Sequence, residues 1–141
     1  MKDAAQFFKI LADESRLKML WLLFNRTELC VCDVMAVLEI TQSKASRHLA
    51  ALRNAGIAVD RKEGLWSYYS LRPAKDKLAK EHLALLKTSL SRYPDAKILL
   101  KKLNVWLKEK QSGQTCLKGS DRSREALDSD SAKNSFKGAA N

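Results

Sequence analysis

Two short stretches of helical periodicity, "CDVMAVLEI" and "QSKASRHLAALRNAG", stand almost back to back, and this limits the chain's fold more than any other feature. In the first, Val34, Val37 and Leu38 form one apolar side and the helix ends near Glu39. In the second, Thr41 or Ser43 can cap the first turn, Ala45, Leu49 and Leu52 face inward, and Gly56 is a C-terminal stop. Only about three residues join them, so the two helices must cross over a tight turn, which is the helix-turn-helix layout. After Gly56 the period changes from near 3.6 to two. "IAVDRK" and "WSYYSL" flank Glu63-Gly64-Leu65, a connection suited to a hairpin, so a two-stranded wing is expected beside the second helix.

The flanking segments are helical too. Ala4, Phe7, Phe8 and Leu11 mark an amphipathic N-terminal helix, and "DESRLKMLWLLFN" a second, capped by Asp13 or Ser15, with Leu17, Leu20, Trp21 and Phe24 along one stripe. Beyond Pro73, Ala79, Leu83, Leu86 and Leu90 lie on one side of a helix that Pro94 breaks. A last helix from about Asp95 to Lys110 carries Leu99, Leu103 and Trp106. The expected fold is mainly α with a small β-hairpin, in the order α-α-α-α-β-β-α plus a further C-terminal helix. Residues 1–110 form one domain, and residues 111–141, rich in Ser, Gly, Asn and charge, form a tail expected to be largely disordered.

The full chain of 141 residues carries 26 Lys and Arg against 16 Asp and Glu, a net charge of +10. Up to Lys110 there are 21 basic and 12 acidic residues, so the excess belongs to the expected domain and not to the tail. A basic folded surface gains affinity for polyanions by displacing counterions from phosphates. With Ala45, Leu49 and Leu52 turned inward, the second helix of the pair presents Gln42, Ser43, Lys44, Ser46, Arg47 and His48, which are donors and cations near a helix N-terminus. Helices so placed meet the DNA major groove, where Gln pairs with adenine and Arg with guanine while Lys and Ser favour phosphates. Arg61 and Lys62, at the hairpin tip, are expected to clasp an adjacent phosphate or minor groove. Trp66, Tyr68 and Tyr69 are read as wing packing. No phosphate-cradling loop, paired-carboxylate site or nucleophile-base pair is evident, so the chain is not read as an enzyme and needs no organic cofactor. No apolar run approaches the roughly 20 residues of a membrane span. The N-terminus does not read as a secretory signal, so the expected home is the cytoplasm.

Taken in order, "LADESRLKMLWLLF", "ELCVCDV", "TQSKASRHLAALRNAGI" and "VDRKEGLWSYYSL" resemble the ArsR/SmtB family of winged helix-turn-helix repressors, in particular its arsenic-responsive branch. The resemblance is close over about residues 3 to 72 and loose over the helix after Pro73. It implies a homodimer that sits on double-stranded operator DNA and leaves when arsenite or antimonite binds. It also implies a dimer interface of Phe7, Phe8 and Leu11 with Leu83, Leu86 and Leu90. A symmetric dimer would set two recognition helices roughly 34 Å apart, so the operator is expected to be an inverted repeat.

Cys30 and Cys32, in "ELCVCDVM", are the expected ligands. At i and i+2 of a regular helix two side chains point about 200° apart, so the helix must begin late or unwind; if its regular part begins near Cys32 or Asp33, Cys30 lies in the incoming turn. Free N–H groups at the helix start then favour thiolates, which select thiophilic ions. Relatives of this branch often have a third cysteine one turn beyond the second, where this chain has Met35, a neutral thioether. Three sources remain open for the third ligand: a non-protein group, Cys116 from the same or the partner protomer, or Met35. A two-thiol site could also favour a methylated trivalent arsenical. An odd number of cysteines in a reducing compartment reads as thiols rather than as a disulfide framework. Zinc is disfavoured, because Asp76, Glu81 and His82 alone do not meet the family's zinc pattern. Two other readings stay open: a redox-responsive or cadmium- or lead-responsive DNA-binding repressor, and a thiol metal-carrying protein whose basic face is incidental.

Overall fold

The computed structural model describes residues 1–112. Six helices and three strands follow in the order α1 (Lys2–Leu11), α2 (Glu14–Phe24), β1 (Leu29–Cys30), α3 (Val31–Leu38), α4 (Gln42–Asn54), β2 (Ala58–Glu63), β3 (Trp66–Leu71), α5 (Lys77–Leu90) and α6 (Pro94–Gln111). Local chemistry accounts for the boundaries. Asp13 caps α2 by accepting from the Arg16 N–H at 3.0 Å, and Thr41 caps α4 by accepting from the Lys44 N–H at 3.2 Å. Gly56, at φ +79, ends α4, and the Ile57 N–H reaches back to the Leu52 carbonyl at 3.0 Å, closing the helix as a Schellman turn does. Glu39 takes the left-handed conformation at φ 57 and so turns the chain between α3 and α4. Pro94 stands at the start of α6, where its missing N–H costs no hydrogen bond.

Helix α2 departs from a one-striped amphipath: Met19, Leu20, Trp21, Leu22 and Leu23 are all buried. The reason is that it lies between two apolar clusters. Met19 and Leu20 join Val34, Ala45, Leu49, Leu52, Ile57 and Tyr69 beneath the helix-turn-helix. On its other side Trp21, Leu22 and Leu23 meet Leu29, Val37 and the inner face of α6, Ala96, Leu99 and Leu103. The Trp21 indole N–H donates to the Ala96 carbonyl at 2.9 Å, satisfying its one polar atom and fixing α6 against α2.

The wing has one strand more than expected. Its order is β1-β3-β2, with the two residues of β1 paired antiparallel to β3. So short a segment carries no period of its own and is held by Leu29, which is buried in the second cluster. The register has a functional consequence: Cys30 pairs with Tyr68, and Tyr68 pairs with Arg61, so one row across the sheet runs from thiol site to wing edge.

Candidate functional site

Cys30 is the residue before α3, in extended conformation at φ −88 and ψ 167, and Cys32 lies in the first turn. This is the late helix start that lets the sulfurs converge. The two sulfurs and a carboxylate oxygen of Asp33 lie within 4.8 Å of one another, and all three residues are buried. Trp66 and Tyr68 of β3 cover the cysteines, so the wing aromatics do pack, and what they pack on is the sulfur site. Shared ligation and oxidation both need sulfurs brought close together, and the fold supplies that closeness.

Asp33 was not foreseen as part of this site. Its Oδ2 accepts from the Cys30 N–H at 2.9 Å, as a carboxylate at the third helical position does in a capping box. Its Oδ1 accepts from the Trp106 indole N–H and from the Lys110 ammonium, each at 2.7 Å. Lys110 also stands 3.8 Å from the Cys30 sulfur. Thus the last turns of α6 close over the site and bring a cation beside the Cys30 sulfur. Met35 packs in the first cluster beneath the helix-turn-helix, whereas Trp66 and Tyr68 are the residues packed on the sulfurs. Cys116 lies outside the described residues.

On α4, Gln42, Ser43, Lys44 and Arg47 are exposed and Ser46 and His48 half-buried, while Ala45, Leu49 and Leu52 are buried. The helix holds no carboxylate, and Lys44 and Arg47 form no ion pair among the described residues. Arg61 and Lys62 belong to the body of β2, short of the Gly64-Leu65 tip. Arg61 is occupied: it donates through Nε and Nη2 to the two oxygens of Glu28, at 3.0 and 2.7 Å, and through Nη1 to Glu63. Its guanidinium also lies 4.7 Å from the Tyr68 ring centroid. The bonds to Glu28 and then Glu63 raise its pKa further above the titrating range, and the bond from Arg61 holds the Glu28 carboxyl below the usual carboxylate range. The Lys62 ammonium donates to Ser67 Oγ at 3.4 Å and is otherwise solvated.

A crossed helix pair with a bare basic second helix, a three-stranded wing and a sulfur site at the head of its first helix define a winged helix-turn-helix protein. The family model for bacterial regulatory proteins of the arsR family matches residues 13–59. The "Arsenical resistance operon repressor" of Escherichia coli K12 is 54% identical over 68 residues, 48% of this chain and 58% of that protein. The "Arsenical resistance operon repressor" of Bacillus subtilis 168 is 46% identical over 71 residues, 50% of this chain and 68% of that protein. Among solved structures, HlyU from Vibrio cholerae N16961 superposes with a TM-score of 0.56 at 33% identity, covering 64% of this chain and 95% of that one. This chain therefore belongs to the arsR family. It spans somewhat more than half the length of the curated relatives it matches. Among the described residues no helix is long and apolar enough to cross a membrane.

Proposed function

We propose that this chain is a transcriptional repressor that binds operator DNA as a homodimer and releases it when trivalent arsenic or antimony binds Cys30 and Cys32. The observation that carries this reading is the buried convergence of those sulfurs within 4.8 Å, at the start of the helix that packs against α4. Gln42, Ser43, Lys44, Ser46, Arg47 and His48 face the DNA. Two thiolates so placed select thiophilic ions. Asp33 already accepts from three donors, so the ion's third position goes to a non-protein ligand or to Cys116.

Release follows from linkage. The ion must bind the DNA-incompetent conformation better, and DNA must then weaken ion binding by the same factor. Cys30 is paired with Tyr68, and Cys32 and Asp33 lie in the first turn of α3, so drawing the sulfurs onto an ion loads both the wing and the brace of α4 at once. About 1–2 kcal/mol of coupling changes occupancy roughly tenfold. Dimerisation is supported by α1 and α5, neither of which has a buried residue although both are amphipathic. Phe8 remains 44% exposed, and Leu85 on α5 is 63% exposed. Phe7, Phe8 and Leu11 with Leu83, Leu86 and Leu90 supply the dimer contact.

The test is a fluorescence-anisotropy titration of promoter DNA, under reducing conditions, with arsenite, antimonite, methylarsenite, cadmium and zinc. Arsenite or antimonite should release the wild-type protein and fail to release Cys30→Ser or Cys32→Ser. Unchanged release in both variants would sink the assignment. Loss of release in Cys116→Ser would identify the third ligand. The closeness of the two sulfurs favours one second reading, a redox-responsive repressor; release by peroxide and not by arsenite would select it.

A further inference from the structure

Arg16 draws no notice in the sequence, yet it joins three elements. Its Nε donates to the Ile10 carbonyl at the end of α1, at 2.6 Å. Its backbone N–H donates to the Asp13 cap, at 3.0 Å. Its Nη1 lies 3.1 Å from Nδ1 of His48 on α4, 32 residues away in the chain. The Arg16 side chain is 18% exposed and that of His48 21%, so the contact sits in the seam between α2 and α4; the Asp13 carboxylate stands farther off, 4.0 Å from Arg16 Nη1 and 4.0 Å from His48 Nδ1, so the guanidinium is the nearer partner of that nitrogen.

A guanidinium has donors and no acceptor, and it stays protonated. A ring nitrogen in hydrogen-bond contact with it must therefore offer a lone pair. Nδ1 of His48 accepts, and in the neutral ring that leaves the proton on Nε2. We propose that Arg16 is a positioning residue of the DNA interface, which holds His48 as a neutral Nε2–H donor to a phosphate oxygen. This rests on the reading of α4 as the DNA-contacting helix. It sets His48 apart from Lys44 and Arg47, because a neutral donor adds a hydrogen bond without a charge to replace a counterion. Such a contact raises affinity and leaves its salt dependence alone.

Two measurements on the full-length reduced protein test this. The first is a long-range proton–nitrogen spectrum of ¹⁵N-histidine-labelled protein without DNA, with His48→Gln assigning the His48 signals apart from those of His82. Wild type should show Nε2 protonated and Nδ1 bare, and Arg16→Met should show a mixture of both tautomers, which a merely structural role for Arg16 would not produce. The second is binding to promoter DNA over a salt series at pH 8. His48→Leu should bind roughly two- to tenfold more weakly with an unchanged salt slope, and His48→Gln, which keeps a donor, should recover most of the affinity. A wild-type ring protonated on Nδ1, the same tautomer in Arg16→Met, full affinity in His48→Leu, or a slope reduced by about one unit would each overturn the proposal. The spectrum needs no DNA, so it judges the hold of Arg16 on the ring separately; absence of sequence-specific binding by wild type would overturn the repressor reading along with it.

Discussion

Helix α4 and the wing are both basic in sequence, but the wing's arginine is engaged by carboxylates, which leaves Lys62 as its cation without an acidic partner among the described residues. On α4, Lys44 and Arg47 are exposed on an element without a single carboxylate. On the wing, Arg61 is held by Glu28 and Glu63, while on α4 the one cation engaged by a carboxylate is Arg53 at its far end, paired with Asp60 of β2 at 3.3 Å. A cation engaged by carboxylates displaces fewer counterions from DNA, because it must first give up its partners. What separates the two regions is the company their cations keep. Counting arginines overstates the wing.

The largest effect should come from stripping the helix. Replacing Lys44 and Arg47 together by Ala should weaken promoter binding at least about tenfold and lower the salt slope by up to about two units, one for each cation removed from the DNA-facing side. Arg61→Ala should do far less, with a slope within about half a unit of wild type. If Arg61→Ala lowered the slope as much as either helix substitution, the contrast between the two regions would collapse. A gain provides the sharper check. Glu28→Gln with Glu63→Gln frees Arg61 while leaving its side chain in place, so affinity for random duplex DNA should rise and the slope increase by about one unit. Adding Arg61→Ala should cancel that gain, and a gain that survives it would mean the two carboxylates act on DNA directly.

The same contrast marks how far the sequence could be read. Periodicity disclosed α1 to α6, and the inward trio Ala45, Leu49 and Leu52 is buried, because a helix face is a local property of spacing. The late start of α3 was legible as well, since two cysteines at i and i+2 cannot converge on a regular helix. Three features needed contacts between residues far apart in the chain. Strand β1 is two residues long, too short for any period, and exists because β3 pairs with it. Asp33 looks like an ordinary acidic residue in a first turn until Trp106 and Lys110, 73 and 77 positions away, arrive to donate to it. Arg61 reads as an exposed wing cation because its partner Glu28 lies 33 residues upstream. The helix cations needed no such partner, which is why their exposure could be inferred and the neutralisation of Arg61 could not.

The smallest predicted effect concerns the Glu28–Arg61 pair itself, which also ties the segment before Cys30 to the wing. The hydrogen bond from Arg61 lowers the Glu28 pKa, and the slight burial that opposes it is the weaker influence. With its folded value below the unfolded one, the pair contributes stability that is fully present above the ordinary glutamate range and is lost as pH falls through the folded value. Being exposed, the pair contributes little at any pH. Urea unfolding should therefore show a small excess midpoint for wild type over Glu28→Gln at pH 7, closing as the pH drops below about 4. Glu39 provides the control. Its pKa is likewise lowered by a hydrogen bond from Lys102, but that pair joins the turn of the helix-turn-helix to α6 and leaves Arg61 untouched. Glu39→Gln should reproduce the pH-dependent stability change and leave the salt slope of DNA binding as in wild type, whereas Glu28→Gln should move both. If the two variants moved the slope alike, the wing cation would not be under the control of the thiol-site segment, and its pairing would be no more than surface chemistry.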